Sequence, residues 1–421
     1  MASLPAQARS APGAESAAFS PNLSQSKEAR IQPAVLPSIA ALIVVPGLDS
    51  GAAGAGAVEL VRILQSAGCQ TIVVSRAGRL VTEVTAAGAR FVALNVSSNN
   101  PILMLRNALL LARLTRENGC GVIHAFGRAA ACSALIAARM TKIPFVSSWY
   151  KGFREQNFFK RLYNGIMARA DHVIASSEQI AQLINDRYGT PWKKIRVVSC
   201  SIDFARFNPE AISGERLDAV RAAWGVKRDT KVILITGRIL RRKGHHVVVR
   251  AVKRLREMGL RDFLCVFVGE DRGRTRYTGE LWDLVLGTGT MDVIRMANPV
   301  SDMPAAYAAA SVVVSAAVQP EGVQRAILEA QAMGRPVIVS DMAAGTDVVL
   351  TAPAVPEARI AGLRFHAGDD AALAACLLRL FAMPEPNRAA MGRRGRDWVR
   401  THFTAELAAQ QIVDFYRAIA R

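Results

Sequence analysis

Short runs rich in Val and Ile alternate with longer segments of helical period along nearly the whole chain, and they do so in two successive series. The first series has apolar runs at 41–45, 71–75, 91–96, 122–124, 144–149, 172–175 and 195–198, and the second at 231–235, 263–268, 292–295, 312–315 and 336–340. Continuous apolar runs of this length, separated by segments with a helical stripe, read as strands buried on both faces, which is the habit of parallel sheets with helical crossovers. One series builds a doubly wound α/β domain, and two build a pair of Rossmann-like domains. A chain of 421 residues has the length for two cores. The seam is expected at Ile202-Asp203-Phe-Ala-Arg206-Phe207-Asn208-Pro209, where the strand pattern gives way to a turn and a charged helix at 214–224. The expected division is a disordered Ala/Ser/Pro-rich tail at 1–37, a first domain at 38–205, a second at 206–402 and a last helix at 403–421. In open parallel sheets ligands bind beyond the C-terminal ends of the strands, so the expected site is the cleft where the two sheets face each other.

Chemistry concentrates in Glu321-Gly-Val-Gln-Arg-Ala-Ile-Leu-Glu329, which follows the apolar run at 311–315 and ends at Gly334 and Pro336. This places Glu321 in the loop at a strand's C-terminal edge and Glu329 one or two turns into the next helix, with unpaired N–H groups at the helix start. Carboxylates accept hydrogen bonds from vicinal hydroxyls and helix-start amides bind phosphate oxygens, so the pattern suits a polyol phosphate. The competing reading is an exposed helix with two solvated glutamates. A second block, Gly237-Arg238-Ile-Leu-Arg-Arg242-Lys243-Gly244, follows the run at 231–235.

Together the two blocks, with Glu329-Ala330, Gly334-Arg335-Pro336-Val337 and Ala343-Ala344-Gly345-Thr346-Asp347, resemble the retaining GT-B glycosyltransferases often numbered family four. The resemblance runs over nearly all of 38–421. It implies two Rossmann-like domains facing across a cleft, with the C-terminal helix crossing back to the first. It also implies that Glu329 holds the ribose hydroxyls, that Glu321 holds the hydroxyls of the transferred sugar, and that Gly237 and the amides of Gly322, Val323 and Gln324 meet the sugar or phosphate. Family members frequently carry glycine where Gln324 stands, a longer glutamate where Asp347 stands, and a histidine where Tyr150 follows the run at 144–149. Asp347 is expected either to reach the donor differently or to cap the following turn.

Expelling a nucleoside diphosphate builds charge on the leaving phosphate oxygen, and Arg238 and Lys243 are the cations expected to stabilise it without a metal or other cofactor, with Arg241 and Arg242 as competitors for the same role. The nucleotide-diphosphate sugar itself is the co-substrate. From the first domain the Gly/Ala segment at 46–56, including Gly51, is expected to form a loop that approaches the ligand before a helix starting near Ala57. Tyr150, Lys151 and His124 are the candidates for the sugar and acceptor pocket. A phenol is a poor base at neutral pH, so the departing phosphate is expected to take the acceptor proton; His124 reads either as facing the cleft or as a buried structural histidine.

The net charge of +19, from 53 basic and 34 acidic residues, favours anionic partners. Nucleic acid is excluded by the lack of any zinc spacing or RNA-binding signature. Two segments mix aromatic or leucine residues with cations, Lys151 to Tyr163 and 102–116, and point to an anionic membrane surface presenting a lipid-linked, lipopolysaccharide or other glycan acceptor. The competing reading of the first segment puts Phe158, Leu162 and Ile166 in the core. No apolar run approaches membrane-spanning length, and six scattered cysteines read as reduced, which fits a cytoplasmic location, with peripheral attachment to the inner face of the membrane. Two rival readings are a binding protein of the same fold without turnover and an NAD-dependent oxidoreductase; no acidic residue closes the run at 71–75, which argues against the nicotinamide reading.

Overall fold

Burial on both faces sorts the apolar runs into two all-parallel sheets. The computed structural model describes residues 40–419 apart from 50, 153–157, 199, 228, 272, 274 and 346, so the expected tail at 1–37 and part of the aromatic segment after Lys151 lie outside the described residues. The first half runs β1 (Ala40–Val45), α1 (Ala52–Ser66), β2 (Gln70–Ser75), α2 (Val81–Ala86), β3 (Arg90–Ala93), α3 (Pro101–Glu117) and β4 (Cys120–Phe126). It continues with α4 (Arg128–Thr141), β5 (Phe145–Trp149), α5 (Phe158–Asn164), β6 (His172–Ala175), α6 (Glu178–Tyr188) and β7 (Ile195–Val197). The second half runs α7 (Gly214–Trp224), β8 (Lys231–Thr236), α8 (His245–Glu257), β9 (Phe263–Val268), α9 (Thr275–Gly287), β10 (Ile294–Ala297) and α10 (Met303–Ala309). It closes with β11 (Val312–Ser315), α11 (Arg325–Ala332), β12 (Val337–Ser340), β13 (Gly362–Phe365), α12 (Asp370–Ala382), α13 (Glu385–His402) and α14 (Ala405–Ile419).

The seven-stranded sheet has the order β3-β2-β1-β4-β5-β6-β7 and the six-stranded one β10-β9-β8-β11-β12-β13. The strand order reverses beside β1 in the first sheet and beside β8 in the second, which opens a crevice at the C-terminal edge of each. Among the described residues β13 is the one strand that the apolar runs miss: it is a four-residue edge strand with Arg364 exposed.

Helix boundaries follow local chemistry. Asn100 caps α3 by accepting from Ile102 and Leu103 N–H, with Pro101 in the first turn, and Ser213 caps α7, which ends at left-handed Gly225. One boundary corrects the sequence reading. α1 starts at Ala52 rather than near Ala57, so Gly54 and Gly56 lie inside a helix and Gly47 and Gly51 remain in the loop. Their small size serves packing, because a Cβ at Gly56 would strike the Tyr150 hydroxyl and one at Gly54 the Asp49 carbonyl.

The described residues form one compact unit. The chain passes between the sheets twice, once after β7 and once between α13 and α14, and the two passages are tied by the Ile202 N–H donating to the Phe403 carbonyl at 2.9 Å. α14 then packs on the first domain, burying Tyr416, Phe415 and Ile412. All six cysteines are free thiols, four of them buried.

Candidate active site at the facing sheet edges

The turn from β8 into α8 sets up the site. Arg241–Lys243 form a single tight turn ended by Gly244, whose φ of 74° and contact with the Ala316 carbonyl exclude any side chain. The turn is pinned to the loop after β11 by the Val318 N–H donating to the Arg242 carbonyl at 2.9 Å. Lys243 is thereby driven inward, where its ammonium donates to Glu321 Oε2 at 3.0 Å and to Gln324 Oε1 at 3.2 Å. Arg242 pairs with the other Glu321 oxygen. Gln324 is buried and fully engaged: Oε1 also accepts from Ser315 Oγ at 2.9 Å, and Nε2 donates to the Ala343 carbonyl at 3.3 Å. One side chain therefore fastens the loops after β8, β11 and β12 together.

Burial pulls the Lys243 ammonium down to about 7, and the charges of Arg242, Arg238 and Lys151 act in the same direction. Against these cations stands the Glu321 carboxylate, so among the described residues the cluster is rich in positive charge. Three of these cations come from the second domain and Lys151 from the first.

Further along the same motif, Glu329 lies in the second turn of α11. Its Oε2 accepts from the Tyr307 hydroxyl at 2.8 Å, and Tyr307 in turn meets Thr236 Oγ1 at 3.3 Å. Burial raises the Glu329 carboxyl, while the Tyr307 hydrogen bond and the charges of Arg325 and Arg206 hold it down. The result is an oriented carboxylate below the cation cluster.

The two domains touch here. A Cβ at Gly322 would collide with Ser176 Oγ and the Tyr150 carbonyl of the first domain, so only glycine permits the approach. Arg325 pairs with Glu59 of α1 at 3.2 Å, and the same glutamate accepts from Ser201 Oγ at 2.6 Å. Gln179 donates to the Asp341 carbonyl at 2.8 Å, and the Glu178 N–H donates to Asp347 at 3.3 Å.

The structure thus brings Arg238, Lys243, Glu321, Gln324 and Lys151 together around one point, with Gly237 directly after β8 and Gly322 against the first domain. Val323 packs on the core of the second domain. Asp347 spends its carboxylate on backbone N–H groups, among them Glu178 at the start of α6, and so follows the capping alternative. Gly51 stands before α1 at the C-terminal edge of β1. Tyr150 presses its ring against Gly56 and Phe126, and burial raises its phenol well above the ordinary value. His124 does not face the cleft: it is buried, with one ring nitrogen 2.6 Å from the Tyr416 hydroxyl and the other 2.8 Å from Ser148 Oγ, and burial lowers it to about 3. Glu59, Arg325 and Tyr307 were missed by sequence reasoning. Only Arg325, inside the Glu321–Glu329 motif, carried a local signal.

Residues 53–206 match the profile of Glycosyltransferase Family 4, and residues 230–383 that of Glycosyl transferases group 1. The chain belongs to the GT-B glycosyltransferases. Within that family, a D-inositol 3-phosphate glycosyltransferase of Nocardiopsis dassonvillei is 30% identical over 271 residues, covering 60% of this chain and 60% of that one. The chain thus spans about 60% of that curated relative's length. A glycosyltransferase from Rickettsia africae superposes with a TM-score of 0.79 at 26% identity, over 91% of this chain and 98% of that one. Anabaena HepE, in complex with UDP-glucose, shares the GT-B fold with a TM-score of 0.73 at 19% identity, over 90% of this chain and 99% of that one.

Proposed function

We propose that this GT-B chain transfers a hexosyl unit from a nucleotide-diphosphate sugar to a glycan or lipid-linked acceptor, with retention of configuration and without a metal. The observation that carries this reading is the pairing of Arg242 and Lys243 with Glu321 where the two sheet edges meet, with Arg238 and Lys151 near enough for their charges to act on Lys243. Four cations around one carboxylate leave an excess of charge for a diphosphate, and Glu329, held by Tyr307, offers oxygens to a ribose diol. In the reaction the bond from the anomeric carbon to the phosphate oxygen breaks with its electron pair on the diphosphate, and the acceptor oxygen bonds the same carbon. The departing phosphate takes the acceptor proton. Retention with the departing phosphate as the base is supported by the poor bases beside it: Tyr150, after β5, is held as a phenol, and His124, on β4, is enclosed.

A cell-envelope acceptor at an anionic membrane face is supported by the outward side of α3 and α5. Ile102 is 78% exposed and Phe158 73%, with Leu105, Leu109 and Leu162 beside them and Arg106, Arg113 and Lys160 on the same helices. Phe158 and Leu162 are therefore not core residues. Among the described residues no helix is long and apolar enough to cross a membrane.

Thermal-shift screening against UDP-, GDP- and ADP-sugars should reveal one stabilising donor. With that donor, Arg238→Ala and Lys243→Ala should each slow transfer by roughly 10²–10³ while affecting donor affinity less, and chelator should leave the rate unchanged. Undiminished turnover in the double variant, or activity lost in chelator and restored by divalent metal, overturns the mechanism.

A further inference from the structure

The second domain has a pocket on the side away from the donor loops. Those loops follow the C-terminal ends of β11 and β12, whereas the pocket lies where the same strands begin, at Ser311 and at Gly334–Pro336, about 13 Å away along a four-residue strand. It has a volume of about 320 Å³ and is lined by five arginines and one carboxylate: Arg221 of α7, Arg335 of the turn before β12, and Arg388, Arg393 and Arg396 with Glu385 of α13. The α13 residues recur at helical spacing, so one face of that helix is committed to the pocket.

The arginines are not equivalent. Arg388 pairs with Glu385, and Arg396 pairs with Glu210 at 2.7 Å and Asn208 at 3.2 Å. Arg335 has no such anchor: its Nε is buried and meets no acceptor among the described residues. Burial draws this guanidinium below the ordinary arginine value, Glu385 opposes the shift and Arg221 adds to it. A buried guanidinium donor without an acceptor is costly, and a ligand oxygen would relieve it. The helix ends do not supply the positive field, since α13 brings its positive start to the pocket but α10 and α11 bring their negative ends. The excess of four positive charges in the lining therefore decides the sign of the ligand. Guanidinium forks match the spaced oxygens of a phosphate better than a single carboxylate, and the volume suits a small molecule rather than a chain.

We infer that this arginine pocket binds a phosphate-bearing small molecule at a site separate from the donor cleft. The test is calorimetric titration of the full chain carrying Lys243→Ala, which weakens the donor cleft, with inorganic phosphate, pyrophosphate and a hexose monophosphate as probes. One binding event is expected with at least one probe, weakened about tenfold or more by Arg335→Gln and by Arg393→Ala, and unchanged by Lys151→Ala. Arg393 is exposed, so its truncation leaves a folded comparison even if Arg335→Gln does not fold. Tighter binding of the hexose monophosphate assigns the pocket to a phosphate ester, and tighter binding of pyrophosphate to a free anion. The inference is overturned if no probe binds, or if binding survives Arg393→Ala undiminished, and loss on Lys151→Ala then assigns that binding to the donor cleft.

Discussion

Near neutral pH the Lys243 ammonium stands at its own titration point, because burial and three neighbouring cations hold it at about 7. A nucleotide-diphosphate sugar has phosphates that neither gain nor lose protons in this range, so any proton taken up on binding belongs to the protein. Above pH 7 the free lysine is mostly neutral and the bound one charged. Donor binding at pH 8 should therefore absorb close to one proton, read as a dependence of the calorimetric heat on the buffer's ionisation enthalpy. Lys243→Arg should abolish the uptake, since a guanidinium keeps its charge; heats identical across buffers for the parent would remove Lys243 from the diphosphate. The two glutamates differ in the same terms. Glu329→Ala should weaken binding of free nucleotide diphosphate, because it deletes the carboxylate that Tyr307 orients. Glu321→Ala should act on the sugar-dependent part and also strip Lys243 of its one partner carboxylate. Equal affinity of both variants and the parent for nucleotide and nucleotide-sugar would take this motif out of the donor site.

The seam between β4 and α14 couples acidity to stability. His124 titrates near 6.5 when unfolded and at about 3 when folded, so below pH 6.5 the unfolded chain binds the proton first. The stabilisation is complete above 6.5 and declines as pH falls toward 3, by at most about 1.4 kcal/mol per unit. Thermal melts from pH 7.5 to 4.5 should show this slope, and His124→Gln should flatten it while lowering the melting temperature at pH 7.5; an unchanged slope assigns the acid sensitivity elsewhere. α3 offers the opposite case, side chains that support no core. Changing Ile102, Leu105 and Leu109 to Gln should cut sedimentation with phosphatidylglycerol vesicles at least tenfold, because each apolar side chain contributes about 1.5–3 kcal/mol when buried, and should leave the melting temperature almost unmoved. Co-sedimentation equal to the parent's would remove this face from membrane contact. Elements of this kind were legible because buried strands and capped helices carry their signals locally. The start of α1 was not, since Gly54 and Gly56 look like turn residues until the loop before them folds its Asp49 carbonyl onto Gly54 and Tyr150 arrives against Gly56 from elsewhere in the fold. β13 escaped because an edge strand needs only one apolar face.

Across the molecule, the donor motif was readable as a stretch of sequence, but what meets it was not. Glu59 and Arg325 are 266 positions apart and acquire meaning only when the sheet edges close on each other. Arg325 is half exposed and Glu59 about a quarter, so loss of the pair should cost no more than about 1 kcal/mol of stability. Its effect should appear in the closure equilibrium instead. Glu59→Ala is expected to enlarge the radius of gyration in small-angle scattering and to raise the donor KM several-fold, with the melting temperature nearly constant; unchanged scattering and KM would show that closure does not depend on this pair. The paired passages at Ile202 and Phe403 bear on how such a chain can be recombined with a relative. Residues 405–419 follow the second half in sequence, yet they are inherited with the first, because Tyr416 must match His124. A chimera joined at a single point near Ile202 would set a foreign helix against the resident seam, whereas exchange of the segment between Ile202 and Phe403, cut at both passages, would keep each fold with its own partners.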